Sequence, residues 1–247
     1  MPGADAGPAL RAQRQAGAHR RRRSPPQPAL GGRGVLTGTV ILAAGRAQRL
    51  GGISKPLLRS RGELLAARSL RTALQAGTVP VLVLGHRAEQ VGAALKAEVP
   101  GLAAQAQFAV VPEGRSQLAE SFRTGVRRAA GLGADRIAVL LVDQPGITAA
   151  ALAAALEGHT AGRIIRGAVQ GRAGHPVVMA TAEAAAAAEL AEGDEGARRY
   201  LHSQAGRVDT VDLTGLAEDA DIDTPEDLAL LTASALQRAG QRRSGPW

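Results

Sequence analysis

The chain has 247 residues, 45% of them hydrophobic, enough for one α/β domain with a sizeable core. It has no cysteine, which excludes disulfides, thiolate catalysis and cysteine zinc sites, and its only aromatic residues are Phe108, Phe122, Tyr200 and Trp247, too few for base stacking along a nucleic acid. The net charge of +8 belongs to the ends: residues 1–34 carry seven arginines against one aspartate, residues 240–247 carry Arg242 and Arg243, and residues 35–239 are balanced. The reading is therefore a disordered Arg/Pro-rich tail over 1–34, a folded domain over 35–239 and a short disordered tail over 240–247. No apolar run approaches the ~20 residues of a membrane span. A cytoplasmic protein with no membrane and no nucleic-acid partner is expected.

In chain order, Thr37–Ala43 is a β-branched and apolar run that reads as the first strand. Residues 63–76 carry Leu64, Leu65, Leu70 and Leu74 at helical spacing, and 79–84 reads as a buried strand. A helix over 88–96, a strand over 108–111 and a helix over 118–130 follow. Residues 136–142 form a strongly apolar strand, and 148–156 a helix. Short strands are predicted over 163–168 and 176–179 around a Gly-rich connection, then an alanine-rich helix over 182–191 and a short helix over 196–202. A strand over 207–213 precedes a closing helix over 224–239, with Thr224 as N-cap, Pro225 in the first turn and Asp227 as a capping acid. Such alternation predicts a mostly parallel sheet covered by helices on both faces.

The most informative segment follows the first strand: Leu42, Ala43, Ala44, Gly45, then Arg49, Gly51, Gly52, Lys55 and Pro56. Small residues allow a ligand close to the backbone, and free N–H groups with cations suit a polyphosphate. A Walker A loop is excluded because Leu50 stands where its second glycine belongs and Pro56 follows Lys55. A dinucleotide fingerprint is excluded because no second glycine stands two residues after Gly45.

Asp143 ends the apolar strand 136–142, at the edge where an open α/β sheet forms its ligand crevice, and a carboxylate there can hold Mg²⁺ against phosphate oxygens. Asp221 and Asp223 alternate around Ile222, so an extended backbone points both to one side and could complete a metal site with Asp143; equally, acids stabilise the start of the following helix. His175, in a predicted flexible loop, and Asp194 with Arg198 at a predicted helix start could contact a second substrate or serve only turn chemistry.

The ordered set Leu42-Ala-Ala-Gly45, Arg49, Gly51 and Lys55, then Asp143-Gln-Pro145, Gly174-His-Pro176, Gly193-Asp194 with Gly196-Ala-Arg198, and Asp221-Ile-Asp-Thr-Pro225 resembles the molybdenum cofactor cytidylyltransferase family, within the nucleotidyltransferases that resemble molybdopterin guanylyltransferases. The resemblance covers about residues 37–235. It implies an α/β, Rossmann-like nucleotidyltransferase fold and transfer of CMP from CTP to the phosphate of molybdopterin, with release of pyrophosphate. It implies that Leu42, Ala43, Ala44, Gly45, Arg49, Gly51 and Lys55 bind the nucleotide, that Lys55, Arg49 and Asp143 are catalytic, and that Mg²⁺ is the cofactor, on Asp143 and one or both of Asp221 and Asp223. His175, Asp194 and Arg198 would meet the acceptor. The implied partners are a nucleoside triphosphate, with CTP favoured by Ala44, a molybdopterin-type acceptor and a molybdoenzyme. This chain departs from the family in a Gly45-to-Lys55 segment one residue longer than is commonest, in Leu50 and in Ala173. A nucleotidyltransferase for another phosphorylated acceptor, such as a sugar phosphate or phospholactate, and a non-catalytic nucleotide- or cofactor-binding module are the alternatives.

Overall fold

The computed structural model describes residues 34–112 and 117–232. The expected tails lie outside the described residues, Gly34 apart, as do residues 233–239 of the expected closing helix. The main strands are β1 (Thr37–Ala43), β4 (Val79–Leu84), β5 (Gln107–Val110), β6 (Arg136–Leu141), β7 (Ile164–Val169), β8 (Arg172–Ala180) and β9 (Val208–Asp212). They form one seven-stranded sheet in the order β5-β4-β1-β6-β8-β7-β9. All neighbours run parallel except β8, which is antiparallel to both β6 and β7.

Alternation along the strands feeds two cores, one on each face of the sheet. On β1, Ile41 and Ala43 face the layer of α1 (Leu65–Gln75), α2 (Ala88–Glu98), α3 (Pro100–Gln105) and α5 (Ala149–Glu157). Val40 and Leu42 face α4 (Leu118–Gly131) and α6 (Thr181–Leu190), with α7 (Arg198–Ser203) contributing Tyr200. Aliphatic and alanine side chains fill both cores, as the scarcity of aromatics requires, and Phe122 is the largest fully buried side chain. Gly125 of α4 lets that helix lie close on the sheet: a Cβ there would stand 2.3 Å from Val40 Cγ1.

Several elements differ from the sequence reading for local reasons. The first helix starts at Leu65 rather than at residue 63, because Glu63–Leu64 (β3) pairs antiparallel with Arg59–Ser60 (β2) around Arg61 and Gly62, both at positive φ. The connection between β7 and β8 is a two-residue turn, Gln170-Gly171, again with both φ positive, so the pair is a tight hairpin. Strand β8 therefore begins at Arg172, and His175 lies within it rather than in a flexible loop. After β9 the closing helix α8 (Leu228–Thr232) starts at Leu228 rather than at Thr224, so Thr224 is not its N-cap; residues 224–227 form a bend and turns in which Asp227 accepts the backbone N–H groups of Asp223 and Thr224.

Candidate active site

Strand β1 leads through α1 to β4 on one side and has β6 on the other, so the strand order reverses beside β1. At such a switch point the loops beyond the carboxyl ends of the strands part and leave a crevice. Here it is a cleft of about 880 Å³ lined by the loop after β1, by Asp143 after β6, by the start of α4, by Asp194, Arg198 and Asp223.

The loop after β1 is folded on itself. Ala47 is left-handed at φ 44°, and its carbonyl accepts the N–H groups of Leu50 and Gly52. Leu50 is buried and anchors the loop to the core, while Arg46 and Arg49 remain exposed. Its glycines serve two different ends. Gly51 and Gly52 sit at φ 69° and 78°, where L side chains are strained. Gly45 has no such φ, and nothing lies within 4 Å of where its Cβ would be. The fold does not require glycine at 45; an approaching ligand would. Gly51, read as nucleotide-binding, does not line the cleft, and its glycine is explained by the turn.

Lys55 opens a short 3₁₀ turn, and its Nζ donates to Asp143 Oδ2 at 2.6 Å and to Asp223 Oδ1 at 2.5 Å. Burial disfavours the ammonium, but the two carboxylates outweigh it and hold the Lys55 pKa above its ordinary 10.5. Burial pushes the Asp143 carboxyl up from 3.8; Lys55 opposes that shift, and the charges of Asp221 and Asp223 add to it. Asp143 Oδ1 is buried and has no hydrogen-bond partner among the described residues. Its position is fixed by the backbone: the Val142 N–H donates to the Leu42 carbonyl, and the Asp143 carbonyl accepts the Ile222 N–H. That last bond, with Ile222 fully buried, holds the Asp221–Asp223 segment beside Asp143. Asp221 is turned away from Lys55 and accepts Gln144 Nε2 at 2.7 Å.

A divalent cation fits the carboxylates in part. Among the described residues no three His, Cys, Asp or Glu side chains converge as a protein-only site. Asp143 and Asp223 do converge, on Lys55, and the orphaned Oδ1 of Asp143 is a hard oxygen without a partner. Mg²⁺ needs only one or two carboxylates when phosphate oxygens and water complete its shell. Asp221 is the outlier of the expected trio.

A second cavity of about 570 Å³ adjoins the cleft and shares Leu42, Leu118, Leu141, Asp194 and Arg198 with it. His175 lines this cavity, not the cleft. Burial, with the Arg166 guanidinium beside it, pushes the His175 imidazole down to about 4, so it is neutral at pH 7. Asp194 accepts the Leu118 N–H at 3.5 Å, and Gly193 accepts that of Ala119, which ties the 193–196 turn to the start of α4. The cleft thus gathers Leu42, Ala43, Ala44, Gly45, Arg49, Lys55, Asp143, Asp194, Arg198 and Asp223. Gln117, Leu118 and Ser121 also line it, and Gln144 orients Asp221. Nothing in the residue types of Gln117, Leu118 and Ser121 sets them apart from ordinary helix positions, and Gln144 stands in the sequence only as part of the Asp143-Gln-Pro145 motif.

A family model described as a MobA-like NTP transferase domain matches residues 39–208. The chain is similar to the nicotine blue oxidoreductase of Paenarthrobacter nicotinovorans, 33% identical across 76% of this chain and 93% of that protein. It is similar to the purine catabolism protein PucB of Bacillus subtilis, 32% identical across 76% and 92%. Among solved structures, Rv0371c from Mycobacterium tuberculosis matches with a TM-score of 0.67 and 29% identity, over 81% of this chain and 99% of that one. A manganese complex of Rv0371c has also been solved and matches with a TM-score of 0.64.

Proposed function

The chain belongs to the MobA-like NTP transferase family and is a nucleotidyltransferase; from that premise we propose that it moves CMP from CTP to the phosphate of a molybdopterin-type acceptor and releases pyrophosphate. The observation that supports this reading most is the meeting of Lys55, from the loop after β1, with Asp143, from the end of β6, in one cleft beside the open backbone at Gly45. An acceptor phosphate oxygen attacks the α-phosphorus, the bond from that phosphorus to the bridging oxygen of the β-phosphate breaks, and pyrophosphate leaves. Positioning and neutralisation of charge do most of such work. The loop from Ala44 to Arg49 receives the triphosphate, and Arg46 and Arg49 face its charge from the rim. Lys55, held charged by two carboxylates in the free protein, turns its ammonium toward the phosphates. Asp143, with Asp223, would hold Mg²⁺, which when bound supplies positive charge to the phosphate oxygens. His175, Asp194 and Arg198 meet the acceptor from the second cavity and its boundary. A molybdoenzyme is the partner that this chemistry would serve, and the cytoplasm its place.

The cytidine preference rests on Ala44, which is buried at the cleft wall within Leu42-Ala-Ala-Gly45. The test offers the four nucleoside triphosphates, each with Mg²⁺ and molybdopterin, and measures pyrophosphate. CTP-dependent release is expected, and a preference for GTP would overturn the base assignment. Release with a sugar phosphate or phospholactate but not with molybdopterin would move the acceptor. One relative, aligned over nearly its whole length, is named for an oxidoreductase activity, which makes a redox reaction the second reading. No pyrophosphate from any triphosphate with any of these acceptors would favour it or a binding-only role.

A further inference from the structure

Strand β7 places an arginine where its pattern calls for an apolar side chain. Ile164 and Arg166 lie on the same side of the strand, and Ile164 is fully buried against the α4–α6 side of the core. Arg166 lines the second cavity, and its Nε is buried without a partner among the described residues. One terminal nitrogen donates to the Ala173 carbonyl at 3.0 Å, which holds the side chain along β8 but supplies no charge. Arg198 comes to the same cavity from α7 and also lines the cleft, so it stands at the boundary of the two. No carboxylate pairs with either arginine among the described residues. Of the acids at the rim, Asp194 is turned to the Leu118 N–H and Glu195 is paired with Arg199 at 3.3 Å. His175 is neutral and offers no charge of either sign at pH 7. Two cations that share a partly buried cavity without a counter-ion repel one another; burial lowers the Arg166 pKa most, and the Arg198 charge lowers it further.

We propose that Arg166 and Arg198 form a two-guanidinium clamp for the phosphate of a phosphate-monoester acceptor, with the apolar wall of Phe122, Val139, Val177 and Leu201 receiving the acceptor's ring system. This rests on the nucleotidyltransferase reading and assigns to it the residue that holds the nucleophile. Guanidinium forks match phosphate geometry, and the bound phosphate supplies the missing counter-ion. Because Arg198 stands at the boundary, the clamped phosphate faces the cleft that holds Lys55 and Asp143. Arg166 is then a substrate-positioning residue that lines the second cavity and not the cleft, and its loss should affect one substrate alone.

The test is equilibrium binding to the full chain of phenyl phosphate, of benzyl alcohol as a neutral probe, and separately of CTP with Mg²⁺. Wild type should bind phenyl phosphate well above benzyl alcohol. Arg166→Gln should weaken phenyl phosphate binding on the order of 10- to 100-fold, the size of a lost charge-assisted contact, and leave CTP binding unchanged. Arg166→Lys, which keeps the charge and loses the fork, should fall between, and it serves as the variant if Arg166→Gln lowers thermal stability. Equal phenyl phosphate binding by Arg166→Gln and wild type, or equal affinity of wild type for both probes, would overturn the clamp while CTP binding keeps the wider reading intact. Failure of wild type to bind CTP would instead strike the wider reading.

Discussion

The parallel half of the sheet, β5-β4-β1-β6, and the mixed half, β8-β7-β9, build their shares of the site differently. In the parallel half, strands end and loops begin at the crevice, so Gly45 and Asp143 arrive there just past a strand end and Lys55 from the loop that follows β1. In the mixed half, the antiparallel β8 returns across the sheet, and Arg166 and His175 enter the second cavity from within strands. Loop residues can be recognised by composition, since small and charged residues after an apolar run stand out. Residues inside strands are recognised only when the neighbouring face is known. On the proposed reading, the parallel half carries the chemistry common to the reaction, and the mixed half the features that choose the acceptor.

Four experiments sharpen or break that division. The largest effect is expected for Asp143→Asn, which keeps the size and removes the charge beside Lys55; pyrophosphate release should fall on the order of 10²-fold or more, with an unchanged circular dichroism spectrum. Wild-type rate and Mg²⁺ dependence in that variant would remove Asp143 from the chemistry. Lys55→Arg comes next. One Nζ lies between two carboxylates in a partly buried place, and a planar fork does not replace a point charge there. Turnover should drop at least about tenfold, and near-normal kcat would show that any cation suffices.

The two glycines of the loop should separate ligand approach from backbone geometry. Gly45→Ala meets no protein atom within 4 Å and should leave thermal unfolding unchanged while raising KM for the triphosphate. Gly51→Ala, at φ 69°, should cost about 1 kcal/mol of stability and spare KM. The reverse pattern would place the triphosphate elsewhere.

The smallest effect lies in the mixed half. His175 titrates at about 4 in the folded protein against 6.5 for the free side chain. As pH falls below 6.5 the unfolded chain takes up a proton that the folded protein refuses until about 4, so His175 removes stability across that window. His175→Gln should lose less stability than wild type between pH 7 and pH 4.5, as read from thermal unfolding. Parallel slopes for the two proteins would mean that His175 is more open to water than its place between Arg166 and the cavity wall implies.

The helices that the sequence reading names over 88–96, 118–130 and 148–156 are present with ends shifted by a residue or two, since apolar periodicity records which face is buried. The hairpin turns at Arg61-Gly62 and Gln170-Gly171 were not read, and each moved a neighbouring boundary: the start of the first helix and the start of β8. Non-glycine residues at positive φ carry no strong signal in composition, so both turns escape a reading based on residue type.

By itself the sequence determined the alternating α/β build, the concentration of net positive charge in residues 1–34 and 240–247, the special character of the Gly45–Lys55 loop and the candidacy of Asp143 at a strand end. These are local properties, set by period, residue size and position relative to an apolar run. Only the tertiary structure decided that Lys55 reaches Asp143 and Asp223, that Asp221 turns to Gln144, and that Arg166 faces a cavity with Arg198. Those pairings join residues as much as 168 positions apart, and they follow from strand order and from the β8 reversal. A long-range pairing depends on how all the intervening elements stack, and no local pattern around either partner encodes that.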